Sequence, residues 1–313
     1  MHRRKFLKTL GLGAAAFAVG PEFAFSTTKK PQIAITMDDP RVVTSCGLSA
    51  EQVNGNILGA LAAHKVKAAL FVCGMRVDSD TGRALLRSWG EAGHMLGNHS
   101  YSHWYLPSKK ITLEAFCDDI VKGEAVVAKM PGFEKIFRFP FFKEGDTLEK
   151  RDGVRKFLAG RGYGAIGRAT VDASDWAIDS RMVARYAKQP DADLKPYRDF
   201  YLEHMWARSK YYDELARKVL GGPVKHTVLI HHTALNALFL GDLLAMYRER
   251  GWELIDAREA YRDPVYARQP DILPAGESLI WALAKESRKF DGELRYPGEN
   301  DTYENPRMDE LKL

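Results

Sequence analysis

The chain has 313 residues, 45% of them hydrophobic, with 46 basic and 41 acidic side chains. The first 26 residues hold four of the basic and one of the acidic side chains, so the remaining 42 basic and 40 acidic residues leave a formal charge of +2. This balance gives no support to nucleic-acid binding. The three cysteines Cys46, Cys73 and Cys117 lack the C-x2-C spacing of a metal site, and the sequence leaves open whether two of them pair.

Residues 1–26 have the pattern of an export signal. Arg3 and Arg4 precede an apolar stretch from Leu10 to Val19, which is too short to span a bilayer. Twin arginines before such a stretch are typical of the twin-arginine export route. No later segment is apolar enough to cross a membrane. We therefore predict a periplasmic or secreted chain with a single domain over 27–313; whether the signal is cleaved stays open.

Short β-rich runs alternate with helix-period segments after the signal. This alternation predicts parallel strands joined by crossover helices. Since several runs are apolar on both faces, the sheet must be covered on both sides or closed. About seven such units favour a distorted (β/α) barrel over two domains. The predicted strands are Gln32–Met37, Lys67–Cys73, His94–Asn98, Lys135–Phe139, Ala165–Val171, His226–His231 and Trp252–Asp256.

Two segments extend the barrel pattern. The stretch over about 177–222 is longer than one crossover helix requires, which predicts a helical insertion that forms one wall of a groove. The segment from about 264 to 313 is rich in proline, glycine and charge, with one helical piece, and is predicted to be an extended tail. The predicted helices lie near residues 49–64, 80–92, 112–130, 147–161, 178–220 and 240–250.

The reactive side chains all fall at the carboxyl ends of predicted strands, where β/α barrels carry their active sites. A carboxylate pair and an H-x3-H together offer three ligands for a divalent metal and one spare carboxylate to take a proton from water. This set indicates a metal-assisted hydrolase. The residues are Asp38 and Asp39 after the first strand, His99 and His103 after the third, Arg138 after the fourth, Asp172 and Asp175 after the fifth, and His231 and His232 after the sixth.

Five short motifs in fixed order resemble those of the polysaccharide deacetylases of carbohydrate esterase family 4, the NodB-homology domain. One such motif is weak, but five in order are highly specific. Pro40 departs from the family's usual glycine, and His232 stands where many members have aspartate. The motifs are Thr36-Met-Asp-Asp-Pro40, His99-Ser-Tyr-Ser-His103, Arg138-Phe-Pro-Phe141, Asp172-Ala-Ser-Asp-Trp176 and Leu229-Ile-His231.

The resemblance implies a NodB-like barrel and a metal site. Asp39, His99 and His103 resemble the family's ligands, and the two histidines share one face if their segment is helical. This ligand set suits zinc best, although cobalt, nickel or manganese would accept it. Asp38 resembles the catalytic base, and Arg138 the arginine that holds the base through an ion pair.

The later motifs imply the remaining roles. The backbone N–H of Phe141 resembles the oxyanion donor, and His231 resembles the acid that protonates the leaving amine. Asp175 resembles the carboxylate that orients this acid, with Asp172 as its structural companion. Trp176 offers either a surface for a sugar ring or a core side chain. Because adjacent strand residues point to opposite faces, only one of His231 and His232 enters the site, and the L-x-H motif favours His231.

The predicted function is removal of N-acetyl groups, with O-acetyl groups as a second option, from a cell-envelope or extracellular carbohydrate. One alternative is a deformylase or cyclic-amide hydrolase on the same fold. Another is an inactive periplasmic carbohydrate-binding protein, which would have no need for Asp38, Arg138, Asp175 and His231. Peptidoglycan, a capsule, chitin oligomers and a lipid-linked sugar all suit the site, and the sequence does not indicate the oligomeric state.

Overall fold

A curled sheet of parallel strands forms the centre of the molecule. The computed structural model describes residues 30–296 and 301–313, so the predicted export signal lies outside the described residues. The described strands are β1 Gln32–Asp38, β2 Ala69–Val72, β3 Met95–Asn98, β4 Phe133–Phe137, β5 Lys143–Gly145, β6 Ala165–Ile166, β7 Lys225–His231, β8 Glu253–Leu254 and β9 Ala275–Gly276. Six of them run in the order β6-β4-β3-β2-β1-β7, and β8 pairs with the start of β1.

The segment that begins with β6 contacts both edges of this sheet. Ala165 pairs with Ile136 of β4, whereas Val171 forms a parallel bridge with Val228 of β7. The backbone N–H of Leu229 donates to the carbonyl of Val171 at 3.0 Å. One segment therefore closes the sheet, and the predicted distorted barrel of about seven parallel strands is confirmed.

The predicted strand Ala165–Val171 is wrong in its middle, where the chain leaves the sheet at Gly167. A Cβ atom on Gly167 would lie 2.4 Å from the ring of Phe71, so only glycine allows this approach. The Gly167 carbonyl instead accepts a hydrogen bond from Nε of Arg138 at 2.6 Å. The bend thus brings a backbone acceptor to a buried arginine.

Ten helices cover the described part of the sheet and the tail. Serine or threonine side chains cap the amino ends of the first four, at Ser49, Ser79, Thr112 and Thr147. The helices are α1 Ala50–Ala63, α2 Asp80–Glu91, α3 Leu113–Val127, α4 Leu148–Gly160, α5 Asp175–Lys188, α6 Lys195–Leu220, α7 Ala234–Glu249, α8 Ala257–Ala260, α9 Leu279–Ser287 and α10 Asn305–Glu310.

The single helical stretch predicted over 178–220 is two helices, α5 and α6. Pro190 lacks a backbone N–H and disfavours helical geometry at the residue before it, so α5 ends at Lys188. Pro196 lies in the first turn of α6, where its missing N–H is tolerated. The next helix, α7, begins at Ala234, six residues before the predicted start.

Strand β1 is buried on both faces and determines which side chains enter the barrel. Ile33, Ile35 and Met37 pack in the core under the surrounding helices. Ala34 packs with the ring of Phe71, and Thr36 and Asp38, which follow at alternate positions, contact Arg138 inside the barrel. The two-residue period of the strand therefore places Asp38 in the interior at the carboxyl end of the sheet.

The tail does not stay extended throughout. Strand β9 pairs antiparallel with β5, α9 packs against α6, and Met308 of α10 is fully buried. Cys46, Cys73 and Cys117 are all free thiols. Among the described residues we find no helix with the length and apolar character that a membrane span requires.

Candidate active site

A cavity of about 390 Å³ lies at the carboxyl ends of β1 and β7. Most of the side chains that the sequence predicts for the site line this cavity. Two further predicted residues, Arg138 and Asp175, are fully buried and contact the cavity-lining Asp38 and His231. The predicted residues that line the cavity are Asp38, Asp39, His99, His103, Phe141, Trp176 and His231.

Asp39, His99 and His103 form a compact group of candidate metal ligands. One ligand atom from each lies within 4.8 Å of the others. Nδ1 of His99 is 2.8 Å from the carbonyl of Arg138, so this nitrogen must carry the proton and Nε2 is free to act as a ligand. Burial lowers the pKa of both histidines to about 4, which keeps them neutral as ligands must be. One carboxylate and two neutral imidazoles fit a catalytic divalent metal with an open position.

The segment that joins the two histidines is a turn rather than the helix that the H-x3-H spacing invites. Ser100 and His103 have φ angles of 62° and 55°, and the His103 N–H donates to Oγ of Ser100 at 3.1 Å. Asp39 is also left-handed, with φ of 58°. Such backbone strain costs about 1–3 kcal/mol per residue and is concentrated at functional sites. Two of the three candidate ligands therefore occupy strained positions.

Asp38 is held by a buried arginine that donates hydrogen bonds to four acceptors. Nη1 of Arg138 donates to Oδ1 of Asp38 at 2.6 Å, and Nη2 donates to Oγ1 of Thr36 at 2.9 Å and to the hydroxyl of Tyr261 at 3.0 Å. Oδ2 of Asp38 lies 3.5 Å from Nε2 of His99 and so faces the candidate ligands. Burial raises the pKa of Asp38 to about 6 against the opposing charge of Arg138. The side chain is therefore a carboxylate at neutral pH with a proton affinity above that of a free aspartate.

His231 is positioned by a buried carboxylate on the opposite side of the cavity. Its Nδ1 lies 2.7 Å from Oδ1 of Asp175, and its backbone N–H donates to Oδ2 at 2.9 Å. Asn236 also donates to Oδ2 of Asp175, and its own Oδ1 accepts the hydroxyl of Tyr201 at 2.6 Å. Burial would lower the pKa of His231, but the ion pair with Asp175 and the nearby Asp38 raise it to about 10. His231 is therefore protonated at neutral pH.

His232 points away from this cavity. Its Nε2 lies 3.3 Å from Oδ1 of Asn54, and its ring centre is 6.2 Å from that of Trp89. Burial lowers the pKa of His232 to about 4. Of the two neighbouring histidines, His231 is thus the one that reaches Asp38 and the candidate ligands.

The remaining predicted residues differ in position. Phe141 is left-handed, with φ of 57°, and its ring centre lies 4.5 Å from that of His103. Trp176 is half-buried; it packs against the core and also lines the cavity, and its role as a surface for a sugar ring stays a prediction. Asp172 is buried and does not line the cavity; burial raises its pKa while the charge of Arg208 opposes the rise.

Four contributing residues lie outside the motifs. Tyr261 and Asn236 support the Arg138 and Asp175 side chains, and only the three-dimensional structure reveals these contacts. Arg41 and Arg76 line the cavity, with Nε of Arg76 3.1 Å from Oδ1 of Asp39. Since both arginines follow strand ends, the rule that identified the other site residues would have found them.

The match to a known protein family covers the first three of the five motifs. The profile described as polysaccharide deacetylase matches residues 25–155, and the predicted resemblance to this family is confirmed. A peptidoglycan-N-acetylglucosamine deacetylase of Bacillus cereus is 29% identical over 156 residues, 49% of this chain and 50% of the relative. The peptidoglycan-N-acetylglucosamine deacetylase PgdA of Listeria monocytogenes is 33% identical over 157 residues, 50% of this chain and 29% of the relative. The match thus spans half or less of the length of these relatives.

A solved structure shows the same fold. A mutant of a carbohydrate esterase family 4 pseudoenzyme, whose wild-type form is from Bacillus anthracis, superimposes with a TM-score of 0.51 at 21% identity, covering 74% of this chain and 67% of that chain. A pseudoenzyme on this fold means that the fold alone does not separate an enzyme from an inactive binder. That distinction must come from the side chains of the cavity.

Proposed function

We propose that this chain, a member of the polysaccharide deacetylase family through residues 25–155, is a metal-dependent hydrolase that removes N-acetyl groups from a cell-envelope carbohydrate. The observation that carries the proposal is the opposition of Asp38, a buried carboxylate, and His231, a protonated imidazole, beside three candidate metal ligands. The names of the two curated relatives support an acetylated amino-sugar polymer as the substrate class.

Asp39, His99 and His103 would hold one divalent metal, with zinc as the best match to their donor atoms. When bound, the metal supplies a Lewis acid that polarises the acetyl carbonyl and lowers the pKa of water. The chain's own part is to keep both imidazoles neutral and to hold the His99 ring through the Arg138 carbonyl.

Asp38 acts as the base that accepts a proton from the attacking water. Arg138 occupies Oδ1, which leaves Oδ2 directed toward the candidate ligands for the proton transfer. Because Arg138 is fully buried and donates to four acceptors, the carboxylate is held in one orientation. This preorganisation places the base before the substrate arrives.

His231 acts as the acid for the leaving sugar amine. Its Nδ1–H is occupied by Asp175, so the proton that it transfers is the one on Nε2. Amide hydrolysis requires this step because an unprotonated amide nitrogen is a very poor leaving group. The N–H of Phe141 is the proposed donor to the oxyanion that develops on the acetyl oxygen. The products are acetate and a free amino sugar.

The proposed location is outside the cytoplasm, where cell-envelope glycans occur. The twin-arginine pattern at Arg3 and Arg4 supports export by the twin-arginine route. Both curated relatives are named for peptidoglycan, which agrees with this location.

The first test is metal analysis of the purified protein together with acetate release from N-acetylglucosamine tetramers, before and after chelation. We expect about one metal per chain and release that stops with the chelator. Asp38→Asn should abolish release while retaining the metal, whereas the matched control Asp191→Asn, at an exposed position, should leave both unchanged.

Parallel assays with O-acetylated and N-formylated tetramers identify the acyl group. Faster release of formate than of acetate would favour the deformylase alternative. Sugar binding without release of any acyl group would favour the inactive binder, and failure to bind added zinc would refute the ligand assignment.

A further inference from the structure

We propose that Arg41 and Arg76 form a cationic wall that selects a glycan with a carboxylate close to the acetamido group. This inference rests on the proposed deacetylase function and specifies its substrate class. Both arginines line the cavity of the candidate active site, yet neither takes part in the proton transfers. They follow β1 and β2, so they occupy the same side of the cavity entrance.

Arg41 differs from the buried arginines of the described chain in having no ion-pair partner within 4.0 Å. Arg138 pairs with Asp38, Arg168 with Glu144, and Arg208 with Glu304. Nε of Arg41, by contrast, is buried and has no hydrogen-bond partner among the described residues. Leaving a buried charged donor unsatisfied is costly, and an anionic ligand would remove this cost.

The carboxylate that attracts Arg41 is Asp179, and it is already engaged. Oδ1 of Asp179 accepts the backbone N–H of Leu235 at 2.9 Å. Burial raises the pKa of Asp179 while the charge of Arg41 opposes the rise, and the two side chains form no ion pair within 4.0 Å in the described part of the chain. Arg41 therefore keeps most of its charge available to the cavity.

Arg76 contacts Asp39 without making a good hydrogen bond. The Nε–Oδ1 distance is 3.1 Å, but the geometry leaves both atoms without a hydrogen-bond partner. The Arg76 side chain is 31% exposed, so its guanidinium reaches the cavity entrance. Two planar guanidinium groups at one entrance suit a carboxylate, which accepts parallel hydrogen bonds from such a fork.

Two exposed aromatic side chains near the cavity offer a stacking surface for the sugar rings of the substrate. Trp104 and Tyr105 are 37% and 46% exposed, and the Tyr105 ring centre lies 5.7 Å from that of Phe141. Because the ring centre of Phe141 lies 4.5 Å from that of His103, a pyranose ring stacked there would lie next to the candidate metal ligands. The cavity thus fits an acidic acetylated glycan, with a uronic acid beside the N-acetylated sugar.

The test compares two tetrasaccharides of equal length. One alternates N-acetylglucosamine with glucuronic acid, and the other contains only N-acetylglucosamine. We expect wild-type kcat/KM for the acidic substrate to exceed that for the neutral one about tenfold at low salt, mainly through KM, and the ratio to shrink as salt screens the arginines. Arg41→Gln should lower this ratio about tenfold. Arg87→Gln, an exposed arginine of α2, removes the same charge outside the cavity and should leave the ratio unchanged.

A binding measurement separates this inference from the deacetylase proposal. In Asp38→Asn protein, calorimetry should show about tenfold tighter binding of the acidic tetrasaccharide, lost in Asp38→Asn/Arg41→Gln. Acetate release with equal kcat/KM for both substrates would overturn the inference and leave the deacetylase proposal standing. Tighter binding of the acidic tetrasaccharide without acetate release by the wild-type protein would support the cationic wall and overturn the deacetylase proposal.

A third substrate, the neutral tetramer with 6-phosphate groups, identifies the source of the anion. Tighter binding of the phosphorylated tetramer than of the uronic acid tetramer would overturn the choice of a carboxylate. Arg76→Lys retains the charge and distinguishes a role in selecting anions from a role in holding Asp39. Loss of zinc binding in Arg76→Lys would show that Arg76 serves only to hold Asp39, and would remove Arg76 from the proposed cationic wall.

Discussion

His99 and His103 on one side of the cavity and His231 on the other are all largely buried, yet the structure gives them different charge states: the first two are neutral at neutral pH and His231 is protonated. The pKa of the first two is lowered to about 4, and that of His231 is raised to about 10. Burial lowers the pKa in all three cases. The difference comes from the group that each imidazole contacts.

His99 donates to a neutral carbonyl, and its nearest carboxylate oxygen, on Asp38, is 3.5 Å away. His231 has a fully buried carboxylate at 2.7 Å, which is itself held by Asn236. A neutral acceptor leaves the imidazole as a metal ligand, whereas a charged acceptor makes it a proton donor. The two sides of the cavity thus hold the same side chain in different charge states.

The largest effect is expected when one of the candidate metal ligands is removed. His103→Ala should lower zinc content to a small fraction of one per chain and acetate release by at least about a thousandfold, since the Lewis acid is worth several kcal/mol. Metal analysis after dialysis and a kinetic assay measure both. His64→Ala, at the end of α1, serves as the control. Full zinc content in His103→Ala would remove this histidine from the ligand set.

Removal of the acid should leave the metal in place. His231→Ala should retain zinc but lose about 10²–10⁴ in kcat for an N-acetyl sugar. Hydrolysis of 4-nitrophenyl acetate should fall much less, because nitrophenolate leaves without a proton. His232→Ala is the matched neighbour, and its main effect should be a lower melting temperature. If His232→Ala lost kcat and His231→Ala lost only thermal stability, His232 rather than His231 would be the acid.

Removing the negative charge beside His231 should bring its pKa closer to those of His99 and His103. Asp175→Asn takes away the ion pair that raises the pKa of His231, so this pKa should fall from about 10. The protonated acid would then be lost at lower pH, and the alkaline limb of kcat should move down by at least about one pH unit. A pH–rate profile measures the limb, with Asp191→Asn as control. If the alkaline limb does not move in Asp175→Asn, the limb does not report the pKa of His231.

The smallest effect is on the stability of the metal-free protein. His231 has a folded pKa above its unfolded value near 6.5, so its contribution is complete below that pH and is lost as pH rises toward 10. His99 and His103 have folded pKa values below 6.5, so stability is lost as pH falls from 6.5 toward 4.

Melting temperatures measured in chelator across pH 4–10 test these opposite slopes. We expect His231→Gln to flatten the alkaline slope and His99→Gln the acid slope, with changes of about 2–4 °C per kcal/mol. Identical profiles for the two variants would contradict the contrast between the two sides.

Much of the fold could be predicted because the strands are apolar on both faces and alternate with helices. The break between α5 and α6 was missed, although Pro190 marks the end of a helix in the sequence. The bend at Gly167 was not visible. It depends on the ring of Phe71 and on a hydrogen bond to Arg138, which are distant in sequence.

The motifs indicated where the site would form but not how its atoms are oriented. The left-handed backbone of Asp39, His103 and Phe141 arises from the surrounding structure, because no local pattern requires it. Asn236 and Tyr261 lie 61 and 123 residues from the side chains that they support. Such partners become neighbours only when the barrel closes.

The contacts of Arg138 join parts of the chain that are far apart in the sequence. Its hydrogen bonds reach Thr36 and Asp38 near the start of the described chain, Gly167 in the middle and Tyr261 toward the end. A growing or truncated chain without residue 261 lacks one of the acceptors that immobilise the guanidinium. A chain that ends before residue 261 therefore lacks part of the hydrogen-bond network that fixes the orientation of Arg138 and, through it, of Asp38.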